Sequence, residues 1–505
     1  MAKMFTLIAV SLALELLLYG GPLWRFRRSL AVITILLIAY PSGWLLAAHQ
    51  SVTTVLIVLT NLFRIINLLR VIEGRSHEKY LKSVAWRATY SFLAVLVGLA
   101  AVYFLRQRGD LPLPKHGLLE FLAVLQLLVA ITVLAATLRN IRKMAVPAAL
   151  GHIADNQLPT VTVAVPARNE TASLEACLAS IVSNDYPKLE ILALDDCSQD
   201  KTNEVIKSFA QAGVRFIKGQ EPKENWLAKN QAYDQLQHEA TGQYILFCGV
   251  DTRLSPKTIR SMLLLALAKN KDMVSVLPKH ADTGWIGALI QPMRYWWEVA
   301  MPRRYFNRPA VLSTCWLIKK STIQKLGGFE AVSRAVLPEA YFARQLVASD
   351  AYAFVRTGGG LQVSSEKNFQ DQFDRAIRVR YPEVHRRLEL VLLLALVEAL
   401  LLFGPFVLVV AGLALRLPWV AGSAAIASGL LITAHCTIVQ VSSRLRLGLA
   451  VVNFPLVVLV ELALGIMSMF KYEFSVVDWK GRNICLPVMH AAPRRFSSSP
   501  RGSVD

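Results

Sequence analysis

Long apolar segments at both ends of the chain, with none in the middle, constrain its fold more than any other feature. A helix of about 20 mostly apolar residues crosses a bilayer core. Segments near this length lie at residues 4–20, 29–48, 51–69, 88–105 and 117–138, and again at 389–413, 419–440 and 447–470. The composition, with 54% hydrophobic and 18% charged residues, also leans toward the membrane. The sequence therefore predicts an integral, multi-pass membrane protein.

The apolar segments divide the chain into four parts. Residues 1–145 are predicted to form a membrane region of about five transmembrane helices, and residues 146–385 a cytoplasmic domain with interfacial helices. Residues 386–482 are predicted to form two to three transmembrane or re-entrant helices followed by a short basic motif. The last part, residues 483–505, has the composition of a disordered tail.

The net charge of +20 is concentrated in the apolar ends of the chain. Residues 151–385 contain 28 basic and 24 acidic residues and contribute only +4. The remainder fits loops that face anionic lipid, and we expect no nucleic-acid partner. Lys and Arg clusters follow the first, third and fifth predicted spans. The positive-inside rule therefore places these loops and the middle domain in the cytoplasm.

Pro455 leaves two interpretations of the last apolar segment. Basic residues stand before it, at Arg444 and Arg446, and after it, from Lys471 onward. A full span would place these two groups on opposite sides of the membrane, with the tail outside. A re-entrant hairpin bent at Pro455 keeps both groups on one side, provided that protein buries its backbone. We favour the hairpin.

The middle of the chain changes from apolar runs to an alternation of strands and helices. Residues 160–166, 189–194 and 242–248 are short strand-like runs, and helical patterns follow the first two. This alternation predicts an α/β domain with a doubly wound, mostly parallel sheet. Ligands of such sheets bind beyond the carboxyl ends of the strands.

Acidic residues stand where the second and third of these strands end. Asp195 and Asp196 follow one strand, and Asp251 follows the other. Each also has a simpler explanation, because an aspartate before a helix or turn commonly caps it. Their order favours a site instead, since Arg168 and Glu170 close the first strand and a lysine motif precedes the next helix.

Several ordered motifs carry a family resemblance. They are PARNE at 166–170, LDDCSQDKT at 194–202, WLAKN at 226–230, ATGQYILF at 240–247, GGF at 327–329 and WKGR at 479–482. In these motifs the chain resembles the family 2 glycosyltransferases, whose nucleotide-sugar-binding domain has the Rossmann-like GT-A fold. It looks most like their membrane-bound branch, which includes the hopanoid-associated, carotenoid and ceramide glycosyltransferases.

The resemblance implies a role for each matching residue. The implied nucleotide-sugar-binding residues are Pro166, Arg168, Glu170, Asp195, Asp196 and Lys229. Carboxylates accept hydrogen bonds from a nucleotide base, and a lysine neutralises a diphosphate as a point charge. Asp251, the last residue of the DxD motif, is implied to bind a divalent metal, Mg²⁺ or Mn²⁺, which neutralises the leaving group. Glu339 is the candidate for the general base that deprotonates the acceptor hydroxyl.

Three positions depart from the family pattern. Gly249 replaces the first carboxylate of the DxD motif, Ala340 replaces the aspartate of the ED pair, and Ala228 replaces the usual glycine of the lysine motif. The first change weakens an oxygen-rich metal site. The second leaves three alternatives: Glu339 serves as the base, another residue does, or the protein is catalytically impaired.

Aromatic and basic residues point to an acceptor side at the membrane. Residues 285–306 combine Trp, Tyr and Arg, which favours an interfacial helix, with a core helix as the alternative. Gln372 and Arg375 resemble the QxxRW motif of processive polysaccharide synthases, with alanine in place of the tryptophan. We assign these two residues, together with Trp479 and Arg482, to the acceptor or the membrane interface.

Three functions are consistent with these residues. The favoured one is an inverting hexosyltransferase of glycolipid biosynthesis, which moves a sugar from a UDP- or GDP-sugar to a membrane-lipid acceptor at the cytoplasmic face. A processive polysaccharide synthase is the second. The third is a catalytically impaired pseudo-glycosyltransferase that acts as a membrane binding or scaffold protein.

Overall fold

The computed structural model describes residues 27–48, 116–147, 151, 153–281, 284–300, 309–384 and 386–485, with isolated residues between 10 and 69. The predicted spans near 4–20, 51–69 and 88–105 lie wholly or largely outside the described residues. So does nearly all of the predicted tail, residues 483–505.

A seven-stranded sheet forms the centre of an α/β domain, with a three-stranded sheet and a short hairpin beside it. The strands are, in chain order, β1 (Val161–Ala167), β2 (Leu189–Asp195), β3 (Val214–Lys218), β4 (Tyr244–Cys248), β5 (Thr252–Leu254), β6 (Met273–Leu277), β7 (Lys279–His280), β8 (Cys315–Lys319), β9 (Tyr352–Arg356), β10 (Val363–Ser365), β11 (Asp478–Trp479) and β12 (Arg482–Asn483). In the large sheet the order is β3-β2-β1-β4-β8-β6-β9, and only the pairs made by β8 are antiparallel. The predicted GT-A-like, mostly parallel sheet is confirmed.

Helices cover both faces of the large sheet and continue into the apolar ends. They are α1 (Arg27–Ala48), α2 (Gly117–Lys143), α3 (Thr171–Val182), α4 (Thr202–Ser208), α5 (Ala228–Glu239), α6 (Thr258–Ala268), α7 (Gly284–Val299), α8 (Lys320–Lys325), α9 (Pro338–Val347), α10 (Phe369–Glu383), α11 (Leu388–Glu398), α12 (Gly404–Ala414), α13 (Pro418–Ser442) and α14 (Leu447–Phe474). A π-helical turn, Ala399–Phe403, joins α11 to α12.

The first strand shows why the sheet lies in the middle of the domain. Val163 and Val165 pack on one face, against α3 and α6, and Ala164 packs on the other face, toward α5. A strand that is buried on both faces needs apolar side chains in succession, as this run provides. An aromatic cluster on the second face supports α5 and α9. Its members are Tyr233, Phe247, Trp316, Phe329 and Phe342.

Four of the described helical segments are long and apolar enough to cross a bilayer. They are Gly117–Lys143, Leu388–Ala414, Pro418–Ser442 and Leu447–Phe474. The predicted apolar helices near 117–138, 389–413 and 419–440 are therefore confirmed as helices. The prediction near 29–48 falls on α1.

The last apolar segment is a single helix, so the favoured hairpin at Pro455 is wrong. α14 continues through Pro455, and a helix tolerates one proline when neighbouring groups satisfy the freed carbonyl. Ser443, just before α14, pairs with His280 of the α/β domain, and Lys480, just after it, bonds to Arg168. A residue beside each end of the helix thus contacts the α/β domain, while the continuous helix keeps the two basic groups about 40 Å apart.

Two aromatic side chains of α7 are buried, whereas Trp297 is half-buried. Tyr295 and Trp296 are 2% and 4% exposed. The indole Nε1 of Trp296 donates to His435 Nδ1 of α13 at 2.9 Å, and its ring stacks on Phe454 of α14 at 5.4 Å. This part of α7 is the core helix of the two alternatives, because it fills the space between the α/β domain and the apolar helices.

Candidate active site

The carboxyl ends of β1, β2 and β4 meet at one edge of the sheet. Ala167 lies beside Asp195 in the β1–β2 register, and Pro166 is the penultimate residue of β1. Arg168 follows that strand directly, and Asp251 follows β4. The topology thus brings the predicted donor-binding and metal-binding residues to the same edge.

The two adjacent aspartates after β2 have different surroundings. Asp195 Oδ1 accepts a hydrogen bond from the Ser198 amide at 3.1 Å, which is the local capping role that the simpler explanation expects. Arg168 Nη1 donates to the carbonyl oxygens of Asp196 and Cys197 at 2.6 and 2.9 Å. Arg168 therefore fixes the backbone of this loop and leaves the Asp196 side chain for another partner.

The WKGR motif forms a tight hairpin. Trp479 pairs with Arg482 across β11 and β12, and the two residues between them have positive φ angles, 50° at Lys480 and 79° at Gly481. Two successive residues with positive φ define the type I′ turn that matches strand twist. The motif is therefore a hairpin that presents Lys480 and Arg482 to the rest of the protein.

Hydrogen bonds and ion pairs connect this hairpin to the loops after β1 and β2. Arg482 Nη1 lies 2.8 Å from both carboxylate oxygens of Asp196, and its Nη2 lies 2.9 Å from Glu221. Lys480 pairs with Glu170 and donates to the Arg168 carbonyl at 2.9 Å. Burial raises the pKa of Asp196, and Arg482 offsets part of that rise.

The hairpin contacts residues that the resemblance assigns to the nucleotide-sugar, although the sequence grouped Trp479 and Arg482 with the acceptor or the membrane interface. Arg482 binds Asp196, a predicted nucleotide residue. Trp479 lies under the Arg378 guanidinium, 5.4 Å from it, and so contacts α10.

Asp251 lies in a basic environment at the end of β4. Lys367 Nζ is 2.9 Å from its Oδ2, and Ser365 Oγ donates to the same oxygen at 2.8 Å. Burial opposes ionisation of the carboxyl group, yet Lys367 and, beyond it, Arg375 hold the pKa of Asp251 well below its usual range. Asp251 is therefore ionised and already paired with a cation.

Lys229 and Glu339 approach each other from two helices. Lys229 is near the start of α5, and Glu339 is the second residue of α9 and only 1% exposed. Burial lowers the pKa of Lys229 to about 8, an effect that Glu339 opposes and Arg375 reinforces. Within the described part of the chain, Oε2 of Glu339 is buried and has no hydrogen-bond partner. Oε2 of Glu339 is thus available to accept a hydrogen bond.

Asn230, in the same motif as Lys229, sets the distance between α5 and α9. It is completely buried, and its Nδ2 donates to the carbonyl oxygens of Val332, Ser333 and Ala335 at 2.7, 3.0 and 2.8 Å. These carbonyls belong to the loop that precedes α9. Asn230 thus fixes the start of the helix that carries Glu339.

α10 brings the QxxR residues into the same cluster. Gln372 Nε2 donates to the Lys367 carbonyl at 3.0 Å and so holds the loop that carries Lys367. Arg375 Nη2 donates to Ser313 Oγ at 2.8 Å, and its charge acts on both Asp251 and Glu339. The guanidinium is therefore close enough to interact electrostatically with both the candidate metal ligand and the candidate base.

The residues around Asp251 do not fit a divalent metal. Mg²⁺ and Mn²⁺ prefer several oxygen ligands, commonly from one or two carboxylates and the substrate phosphates. In the described residues no group of three or more His, Cys, Asp or Glu side chains could hold a metal ion. The one DxD carboxylate present is engaged by Lys367 and Ser365 through Oδ2.

Sequence reasoning missed Lys367, which the structure places against Asp251. The segment around it, in the loop between β10 and α10, matches none of the motifs that we identified. The pairing of β10 with β5, which follows Asp251, brings Lys367 to the site. Asn230 could have been identified from the sequence, because it is the last residue of the WLAKN motif.

The structure predicts that an aspartate at position 340 will not serve as a base. Ala340 packs against the aromatic cluster, whereas Glu339 faces the cationic side chains. Ala340→Asp is expected to lower the free energy of unfolding by about 1–3 kcal/mol, because it brings a carboxylate against apolar groups. Thermal unfolding of the variant, with Ala331→Asp on the exposed surface as control, checks the loss. A large rise in turnover of Ala340→Asp would contradict this placement.

Comparison with known proteins agrees with the fold. Residues 162–327 match the family model described as Glycosyl transferase family 2. Probable glycosyltransferase YdaM of Bacillus subtilis (strain 168) is 27% identical over 186 residues, 34% of this chain and 44% of YdaM. Glycosyltransferase AglE of Haloferax volcanii is 33% identical over 82 residues, 15% of this chain and 27% of AglE. The chain contains a glycosyltransferase family 2 domain, and it spans less than half the length of either relative.

Solved structures resemble the chain at low identity. Mannosyltransferase PcManGT from Pyrobaculum calidifontis, in complex with GDP-Man and Mn²⁺, has a TM-score of 0.42 and 18% identity, covering 70% of this chain and 98% of that protein. S. aureus TarS in complex with UDP has a TM-score of 0.29 and 14% identity, covering 64% of this chain and 95% of that one.

Proposed function

We propose that the protein is an inverting glycosyltransferase that moves one sugar from a UDP- or GDP-sugar to the hydroxyl group of a membrane lipid at the cytoplasmic face. The observation that carries this proposal is the meeting of a buried carboxylate, Glu339, with the basic side chains of Lys229 and Arg375. Transfer from a nucleotide-sugar needs these two kinds of group, a proton acceptor and positive charge at the leaving diphosphate.

The reaction is a single displacement. Glu339 takes the proton of the acceptor hydroxyl as its oxygen attacks the anomeric carbon of the sugar. The bond from that carbon to the diphosphate oxygen breaks, and its electron pair leaves with the nucleoside diphosphate. Attack opposite the leaving group inverts the anomeric centre. Lys229 and Arg375 stabilise the negative charge that grows on the diphosphate.

A lipid acceptor is supported by the apolar helices beside the site. The exposed side chains of α14 are apolar up to Phe470, with Val452 75% and Phe470 52% exposed, and charged residues, Lys471 and Glu473, are exposed only in the last turn. The opposite face packs against α10, where Ser468 accepts from the Tyr381 amide at 3.0 Å. α14 thus contacts α10 on one face and exposes apolar residues on the other. This arrangement would place the lipid bilayer beside the site.

A single transfer is favoured over polymer extension. Ala376, which stands where processive synthases have a tryptophan, is 9% exposed and packs with Ile290 of α7 and Leu464 of α14. The position is filled by packing between helices, so a stacking platform for a growing polysaccharide is absent there.

Turnover by the full chain in lipid nanodiscs tests the proposal. The protein is incubated with a total lipid extract and with labelled UDP-glucose, UDP-N-acetylglucosamine or GDP-mannose. One glycolipid product of inverted configuration is expected. High-mass polymer would support the processive synthase, and nucleotide binding without turnover would support the pseudo-glycosyltransferase.

The hairpin contact gives a further prediction for donor binding. Arg482→Ala is expected to weaken UDP or GDP binding about tenfold, because Asp196 loses a charged hydrogen-bond partner worth about 1.5–3 kcal/mol. Calorimetric titration measures the affinity. Arg215→Ala, which breaks a half-exposed ion pair with Glu239, is the matched control and should bind normally. Unchanged nucleotide affinity in Arg482→Ala would show that the hairpin does not contribute to donor binding.

A further inference from the structure

The side chain that pairs with Asp251 is a lysine placed where a metal-dependent site would hold a cation. Lys367 Nζ lies 2.9 Å from Asp251 Oδ2, and both side chains are 16% exposed. Ser365 donates to the same oxygen at 2.8 Å. Two backbone contacts keep this arrangement in place, since the Glu366 amide donates to the Asp251 carbonyl at 2.8 Å and Gln372 holds the Lys367 carbonyl.

Gly249 belongs to the same arrangement. A Cβ atom at this position would lie 2.8 Å from Asp251 Oδ1, closer than real Cβ contacts allow. The Asp251 carboxylate is thus folded over the position whose side chain supplies the first carboxylate of a DxD motif. The site therefore lacks the first carboxylate of the DxD motif and holds a lysine against the remaining one.

The charges around this pair also oppose a dication. Burial lowers the pKa of Lys367, Asp251 opposes this effect, and the nearby charges of Arg375 and Arg294 add to it. The charges of Lys367 and Arg375 also lower the pKa of Lys229. A divalent cation would join these positive groups and would have to displace Lys367 from its carboxylate. A diphosphate, in contrast, brings the negative charge that the cluster lacks.

We propose that this protein binds the diphosphate of its donor without a divalent cation, and that the Lys367 ammonium supplies the positive charge in its place. The inference rests on the proposed function, which makes the donor a nucleotide-sugar. An ammonium has three donors, so Lys367 keeps one on Asp251 and offers the others to phosphate oxygens. During transfer the leaving nucleoside diphosphate keeps the electron pair of its broken bond to the sugar, and Lys367, Lys229 and Arg375 share the resulting charge.

Nucleotide binding with and without metal tests the inference. The full chain in nanodiscs is titrated calorimetrically with UDP, with GDP and with inorganic pyrophosphate, in excess EDTA and then in excess Mg²⁺ or Mn²⁺. The affinity of the preferred nucleotide is expected to change less than about threefold between these conditions. Lys367→Met is expected to weaken it about tenfold or more, since a charged hydrogen bond is lost. Lys325→Met, at an exposed site, should bind as the unaltered protein does.

A second variant separates charge replacement from misfolding. The double change Gly249→Asp with Lys367→Ala restores a carboxylate pair and removes the ammonium. We expect this variant to bind nucleotide only with Mn²⁺, and to hold Mn²⁺ detectably by electron paramagnetic resonance, whereas the unaltered protein with nucleotide holds none. Failure of the double variant to gain metal-dependent binding, while it still folds, would count against the exchange of lysine for metal.

The outcomes distinguish this inference from the proposed function. If EDTA abolishes nucleotide binding by the unaltered protein and Mn²⁺ restores it, the metal-free site is overturned while the nucleotide-sugar transferase stands. If neither nucleotide nor pyrophosphate binds under any condition, the proposed function is wrong. This inference is then wrong as well, because it rests on that function.

Discussion

Replacing Glu339 by glutamine is expected to lower kcat about 10³-fold, within the range that general bases contribute. The amide has nearly the shape of the carboxylate but cannot take the acceptor proton. Because Oε2 of Glu339 has no hydrogen-bond partner among the described residues, the change breaks no hydrogen bond of that oxygen. Initial rates of labelled sugar transfer in nanodiscs give kcat and KM.

Two measurements make the Glu339 result specific. Nucleotide affinity should stay within about threefold of the unaltered protein, because binding of the diphosphate depends on the basic side chains. Glu330→Gln, an exposed position shortly before α9, is the matched control and should keep full activity. Retention of most activity in Glu339→Gln would exclude Glu339 as the base, and loss of nucleotide affinity would indicate a structural role instead.

Replacing Arg375 by alanine is the second large effect. Its guanidinium acts on Asp251 and on Glu339 and donates to Ser313 at 2.8 Å. Removing a charge that stabilises the leaving diphosphate is expected to lower kcat about 10²-fold, as for other electrostatic stabilisers of a transition state. KM for the donor should rise only severalfold, because other basic residues still hold the diphosphate.

The conservative change Arg375→Lys tests geometry against charge. Lysine keeps the positive charge but lacks the planar fork that reaches Ser313 and the diphosphate together. Its kcat is therefore expected to lie between those of the alanine variant and the unaltered protein. Arg260→Ala, which breaks a surface pair with Asp155, is the control. Full activity in Arg375→Ala would show that Arg375 does not take part in the reaction.

Much of the α/β domain was predictable, because neighbouring residues in the sequence determine each of its strands and helices. The strand-like run predicted at 160–166 is observed as Val161–Ala167, and the predicted strand at 189–194 as Leu189–Asp195. Burial on both faces of the sheet demands such uninterrupted apolar runs. The position of Asp251 at the carboxyl edge also followed, since parallel strands end at one edge.

The predictions that failed concerned contacts between distant parts of the chain. The hairpin proposed at Pro455 came from counting charges on each side of a segment, but α14 is continuous and both of its ends contact the α/β domain. The composition of residues 285–306 also left the surroundings of single side chains open, and Trp296 is buried through its contacts with His435 of α13 and Phe454 of α14. In each case the neighbouring helices decided the environment.

The sequence by itself determined the sheet, the apolar helices and the set of polar residues at the sheet edge, because periodicity and residue type act over a few neighbouring positions. Only the tertiary structure decided how the charges pair. Lys367 meets Asp251 through the pairing of β10 with β5, and Arg482 reaches Asp196 across 286 residues. A buried charge needs a partner close by, and which partner that is depends on distances that the fold alone sets.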